Sequence, residues 1–449
     1  MKSTRIIRKV ISSIFIMIMV LMSCTVGFAA NAETVISIKT PEELDAVRNK
    51  LNGNYVLEDD INLSGFDNWV PIGSKELPFT GKFDGGHHSI NNFGIENIGK
   101  NEYAGLFGYV KNAEISGLNI DGDIELESDK VCVGAVCGFA EESRIKECTN
   151  NANISLVTIS ENNTTCVGGL VGYLEKSVIE MCSNAGNLIV SFNNEGQENS
   201  YTSNAAAGGI AGRATAQVIN CRNTGNIYAE YSDNVAAGGI IGLYIGSIHL
   251  GEPSIAYIGY MFVHNVVNTG TVIISQDKHG NPVVGHREIL DLCTYDKNEP
   301  KLFQGCYYLY DTGVEISDKN YIAVKEEDMS KKESFSEFDF NDIWRMPLSE
   351  KMPVLRFEDK SETVLVTVKM GESYKLEFKE NNIKAFNSDD ESIAVLDGEE
   401  IKGIHRGSTE IRILLSDNSE VRFLVTVRFS LLSWIKMLFK SVFSYIFSR

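Results

Sequence analysis

The chain has 449 residues, 43% of them hydrophobic and 22% charged, with 39 Gly against 8 Pro and a net charge of −19. That length predicts two or three domains, and the composition is globular, with its glycines serving turns and strand corners rather than a flexible linker. An acidic chain with no clustered basic patch in its body excludes nucleic acid as a partner.

Lys2, Arg5, Arg8 and Lys9 precede an apolar run from Val10 to Met22, and Ala30-Asn31-Ala32 has the small-x-small cleavage pattern. Residues 1–32 therefore read as a signal peptide and predict export to the outside of the cell, in association with the envelope. The apolar run falls short of the roughly 20 residues that span a bilayer, which argues against a retained anchor. Leu21-Met22-Ser23-Cys24 loosely resembles a lipobox, so lipidation at Cys24 remains an alternative. Cleavage removes four positive charges and no acid, taking the net charge to −23, and leaves eight of nine cysteines. An even number permits disulfides in an exported protein. No CxxC occurs, so zinc has no support.

Thr40-Pro41-Glu42-Glu43 supplies an N-cap, a proline at the first helical position and a capping glutamate, predicting a short helix through about Leu51 that covers one end of the next domain. Beyond it, five short boxes repeat: AGLFG (104–108), GAVCG (134–138), GGLVG (168–172), GGIAG (208–212) and GGIIG (238–242), their last glycines 30, 34, 40 and 30 residues apart. Periods of this size predict a solenoid whose units bury their apolar faces by stacking. A second box, C-x-N-x-[GA]-N-[IL], begins at Cys148, Cys182 and Cys221, and drifts in the copies beginning at Leu118 and Val266. Strand-like runs, Ser177–Met181 and Ala216–Asn220, lie between the boxes. The glycines allow close approach of successive coils, and Asn and Gly of the second box are expected to supply left-handed turns. A cysteine that exchanges with Leu and Val reads as a buried hydrophobe, so Cys148, Cys182 and Cys221 predict a ladder of free thiols inside the core. Insertions at 162–165 and 193–204 are polar and fall at one point per repeat, which maps them to loops on one face, often the binding face.

The succession from Glu42-Glu43-Leu44 through Tyr55–Gly65, Trp69–Gly73 and Pro78–Phe93 to Ala104–Gly108 resembles the N-terminal part of GLUG-motif proteins, a bacterial surface family. The same region is similar to the non-catalytic part of some immunoglobulin A-cleaving metallopeptidases. The likeness extends from Val35 to Phe357, because Cys306–Leu309, Phe338–Phe340, Ile343-Trp344 and Pro353–Leu355 look like the family's closing segment. It implies a right-handed β-helix-like domain at the cell surface. The second box is degraded at both ends and 276–300 shows no clear repeat, so the number of coils stays open.

After Asp359 short strand patterns follow at turn-separated spacing, predicting a small β-sandwich over 361–428. Ser388–Ile413 resembles bacterial immunoglobulin-like domains of group 2, spacers or adhesin modules, with Phe386 where Trp is frequent. In 429–449, Ser430, Ser433, Lys436, Lys440, Ser444 and Ser448 recur at helical intervals amid apolar residues, predicting an amphipathic helix. Contact with a membrane surface and docking onto the sandwich or a partner are both open; spanning is disfavoured, since Lys436 and Lys440 would each cost about 3 kcal/mol in the bilayer.

The fold class expected is thus all-β: a parallel β-solenoid of Gly-box repeats over 33–360, an immunoglobulin-like β-sandwich, and a C-terminal amphipathic helix. None of the seven histidines lies in HExxH, and no G-x-S-x-G elbow or phosphate-binding loop appears. His87, His88 and Asp84 form a histidine–acid cluster, but Asp-Gly-Gly is turn chemistry. Asp59-Asp60, Asp121, Asp123 and Glu141-Glu142 offer acids without register. No catalytic residue, metal ligand or cofactor is therefore assigned. The expectation is a non-catalytic surface protein for binding, adhesion or display, its partner an extracellular protein or glycan; a carbohydrate-active β-helix enzyme, polysaccharide lyase or glycoside hydrolase, is the alternative.

Overall fold

The computed structural model describes residues 34–128, 130–158, 165–192, 205–230, 235–245, 262–274, 278–279, 284–288, 303–310, 321–348, 352–358, 362–376, 378 and 382–428. The expected signal peptide with Cys24, the insertions 162–164 and 193–204, most of 276–300 and the amphipathic helix 429–449 lie outside them. The protein is mostly β, dominated by a large, almost wholly parallel sheet of 25 strands that coils on itself.

Each repeat is one coil. A short strand (Tyr103–Ala104, Cys132–Val133, Thr165–Gly168, Ala205–Gly208, Val235–Gly238) stacks in parallel with its equivalents in a separate sheet of five strands. The glycine box follows and turns the chain into a strand of the large sheet. There Phe107, Cys137, Val171 and Ala211 occupy one register position in successive coils. Two further strips complete the coil, one through Ile115, Ile145, Ile179 and Val218 and one through Ile124, Ile154, Leu188 and Ile227. All eight of these side chains are fully buried, so the aliphatic alternation of each strand becomes a continuous column down the solenoid.

The thiols take their expected places. Cys148, Cys182 and Cys221 are free and buried, and Cys148 N–H donates to Cys182 Sγ at 3.4 Å. The second box works differently from expectation. Left-handed backbone sits one residue before the ladder position, at Gly117, Glu147, Met181, Asn220 and Asn265, with φ from 50° to 62°. None of the box's own Asn or Gly residues at Asn184, Gly186, Asn223 or Gly225 has positive φ. The first Asn instead forms a buried amide column, with Asn150 Nδ2 donating to Asn184 Oδ1 at 2.8 Å, Asn184 to Asn223 at 2.7 Å and Asn223 to Asn268 at 2.8 Å. Each Nδ2 also reaches a carbonyl two residues on in its own coil, so the buried amides are satisfied. The glycine is there for room: a Cβ on Gly225 would lie 2.0 Å from the carbonyl oxygen of Gly186, one coil back.

At the N-terminal end Pro41–Asp45 is α-helical and Ala46–Asn49 continues as a 3₁₀ turn, two residues short of Leu51. Thr40 Oγ1 accepts from Glu43 N–H at 3.3 Å. Leu44 and Val47 are fully buried and join the core at the first coil. The helix ends early because Lys50 leaves helical backbone (φ −146°) to enter the strand Asn54–Leu57.

Residues 325–348 and 352–358 run back along the left-handed corner of the coils. Trp344 Nε1 donates to Asn220 Oδ1 at 3.3 Å, Glu358 pairs with Arg222 at 2.9 Å and Phe357 stacks on His87 with ring centres 5.6 Å apart. Its aromatic residues form a second core with Val267, Tyr307 and Trp344. The C-terminal unit has a four-stranded sheet ordered Glu362–Lys369, Glu420–Arg428, Gly407–Leu415, Ile383–Ser388, and a three-stranded sheet ordered Ser373–Lys375, Glu400–Gly403, Ala394–Asp397. They share one core around Ile401, Ile411, Ile413 and Val425. Phe386 lies outside it, 46% exposed.

Candidate functional site

The strands Asn153–Thr158, Leu188–Phe192 and Ile227–Glu230 all stop at one edge of the coil, and the short sheet resumes at Thr165, Ala205 and Val235. These strand ends mark a first corner of the coil; the insertions expected at 162–165 and 193–204 lie, but for Thr165, outside the described residues.

Next to the first corner the sheet carries a row of outward residues in register: Ser155, Ile189, Tyr228 and Ile273. Ile189 is 53% exposed, Tyr228 42%, and Val157 beside them 46%. A column of amides flanks the row. Asn187 N–H donates to Asn153 Oδ1 at 3.1 Å, Asn226 N–H to Asn187 Oδ1 at 3.0 Å and Thr271 N–H to Asn226 Oδ1 at 3.0 Å. These are the last Asn residues of the second boxes. They form a ruled surface, apolar along one line and amide along the next, with a repeat of about 4.8 Å set by the strand spacing. Acids border it, with Glu125 in register before Ser155 and Asp123 before Asn153.

The chemically conspicuous residues of the sequence meet only in pairs within turns. Asp84 Oδ1 accepts from Gly86 N–H at 2.9 Å, and Asp60 Oδ1 accepts from Ser89 N–H at 2.9 Å and lies 3.2 Å from His88 Nδ1. His87 faces Glu147 at 3.5 Å. This is turn construction, tying one coil to the next. Asp123 accepts from Asn153 Nδ2 at 3.1 Å and so terminates the amide column. Glu141 accepts from Lys111 Nζ at 2.8 Å and from Tyr109 Oη at 2.7 Å. The bond from Lys111 holds its carboxyl below the usual range, and partial burial opposes that. Among the described residues no three His, Cys, Asp or Glu side chains converge as a metal site.

A cluster that was not singled out from the sequence lies between the two arms of the glycine box. The short sheet turns Ala104, Val133 and Val167 toward the main core and Tyr103, Cys132 and Cys166 away from it. Across from these, the residue after each box projects outward: Tyr109, Phe139, Tyr173, then Arg213 and Leu243. Tyr109 and Phe139 stack at 4.7 Å, Tyr173 meets Phe139 edge-on at 4.7 Å, and the Arg213 guanidinium lies 5.3 Å from the Tyr173 ring. Burial pushes the Tyr103 hydroxyl up to about 12. The signal was available in the alignment of boxes, since Cys132 and Cys166 both stand two residues before the first glycine and the aromatics one after the last.

Strand stacking with one motif per coil defines a repeat protein of the β-helix kind. The family model described as the GLUG motif matches residues 163–189 and 203–228, so the chain carries this motif in two successive coils. No curated protein matches the chain. Five solved chains match, one of them titled "IgA1 Protease", with 14% identity and a TM-score of 0.39 over 70% of this chain and 25% of that one. The chain thus spans about a quarter of that protein's length.

Proposed function

We propose that this is an exported, non-catalytic protein of the cell envelope whose solenoid binds an extracellular protein or glycan. The observation behind the reading is the exposed row of Ile189 and Tyr228 with its amide column, beside the corner where the strands Asn153–Thr158, Leu188–Phe192 and Ile227–Glu230 end. Aromatic and aliphatic contacts flanked by fixed hydrogen-bonding groups suit a ligand with alternating apolar and hydroxyl faces. Export rests on residues 1–32 as a signal peptide. Residues 361–428, read as a bacterial immunoglobulin-like module, extend the solenoid, and 429–449 hold the C-terminus at a membrane surface.

The test is a glycan and protein array screened with the full chain and with I189S/Y228S. The expected result is a defined ligand whose binding falls at least tenfold in the double variant. Depolymerisation of a polysaccharide, abolished by changing one pair of acids, would instead establish the carbohydrate-active reading. For the tail, flotation on anionic liposomes with and without 429–449 should differ; equal recovery refutes the membrane contact.

A further inference from the structure

Cys132 and Cys166 are not part of the core thiol column. They pair in parallel register on neighbouring coils, on the face of the short sheet turned away from the main core, and they pack with Tyr109 and Phe139 in a cluster of their own. Cys132 is 7% exposed and Cys166 1%, whereas Cys148, Cys182 and Cys221 are fully enclosed. Strands one coil apart stand about 4.8 Å from each other, inside the roughly 4.4–6.8 Å that Cα atoms of a disulfide span. The two residues face each other directly across adjacent parallel strands.

We propose that Cys132 and Cys166 are a modification site: a cross-coil dithiol that a low-molecular-weight disulfide oxidises to an intramolecular disulfide, leaving the core thiols reduced. The exchange balances. The thiolate of one cysteine attacks a sulfur of the small disulfide and expels one small thiolate, giving a mixed disulfide. The neighbouring cysteine then attacks the protein sulfur of that mixed disulfide and expels the second small thiolate. One S–S bond is broken and one formed, the protein loses two electrons and two protons, and the small disulfide gains them as two thiols. The site is suited to this by its chemistry. The hydrogen bond from Cys132 draws the Cys166 thiol below its usual range, burial opposes the shift, and the Arg213 guanidinium adds to it. Closing the bond requires the two Cβ atoms to approach by about 1 Å from the strand spacing. Cys137 has no such outlet; it faces the main core, and burial raises its thiol.

The inference is independent of the proposed function and is tested on the reduced, folded full chain. The protein is treated with oxidised glutathione, unfolded in the presence of an alkylating agent, and digested. Trypsin leaves Cys132 with Cys137 on residues 131–144 and Cys148 with Cys166 on residues 147–176, so the linkage is assigned by fragmentation within the joined peptides. The expected result is a Cys132–Cys166 bond, with both residues lost together from the alkylated pool and Cys137, Cys148, Cys182, Cys221 and Cys306 remaining in it. In C132S, Cys166 should stay unlinked to any other cysteine, and in C166S, Cys132 likewise. Full alkylation of both residues after oxidation, a stable glutathione adduct on one with the other still free, or pairing of either with another cysteine would each overturn the proposal.

Discussion

In the solenoid each core contact is repeated from coil to coil, whereas in the unit formed by residues 362–428 each occurs once. The column Ile145, Ile179, Val218 and the amide column Asn150, Asn184, Asn223, Asn268 are held by the same bond made again one coil on. In the C-terminal unit Ile401, Ile411 and Val425 have no equivalents, and the contacts between the unit and the segment before it include buried charges. Arg345 ion-pairs with Glu420, Leu348 N–H donates to Glu420 Oε2 at 3.0 Å, and Arg412 donates to the Met346 carbonyl and pairs with Asp389 at 2.8 Å. Burial draws the Arg345 guanidinium down to about 10 against the pull of Glu420. A repeat distributes its stability over neighbours; a single ionic contact concentrates it, because removing one partner leaves the other charge buried.

The largest effect should come from that contact. Arg345→Leu is expected to cost about 4 kcal/mol of coupling between the regions, seen by calorimetry as a C-terminal transition that separates from an unchanged solenoid transition; one undivided, unshifted transition would show that they are not coupled this way. Within the solenoid, Asn184→Ala removes the amide between Asn150 and Asn223 and should cost about 3 kcal/mol in denaturant unfolding, since partners on both sides lose a buried hydrogen bond. Glycines sharpen the contrast further. Gly225→Ala meets the Gly186 carbonyl and should cost about 2 kcal/mol by forcing coils apart, while Gly398→Ala, which only burdens a left-handed turn at φ 60°, should cost about 1 kcal/mol. The smallest effect is Glu141→Gln, about 0.5 kcal/mol at neutral pH, because its partner Lys111 is partly exposed. The Glu141 carboxyl is held below its ordinary value of 4.5 in the folded chain, so its contribution is present above that value and lost as pH falls through the folded one. The variant should therefore show a flatter acid limb in stability against pH.

Much of the solenoid was legible because a repeat prints its register in the chain. The glycine boxes placed the corners, and the exchange of Cys148, Cys182 and Cys221 with Leu118 and Val266 placed the thiols inside. The role of the second-box Asn was misjudged because Asn suits both left-handed turns and amide columns, and only contact with the next coil distinguishes them. The row at Ile189 and Tyr228 was hidden for a similar reason: alternation marks outward residues without saying which outward face lies beside the variable stretches.

The sequence by itself determined the β-solenoid, its helical cap and its thiol column, since these follow from local turn chemistry, capping and hydrophobic period, all of which act within one coil or between equivalent positions. Only the tertiary structure decided that Glu147 and Met181 take the left-handed corner, that Cys132 and Cys166 share an outer layer with Tyr109 and Phe139, and that Trp344 and Glu358 bind back along the coils. Those features depend on residues distant in the chain meeting across coils, and the energy that selects them arises only when the coils are stacked.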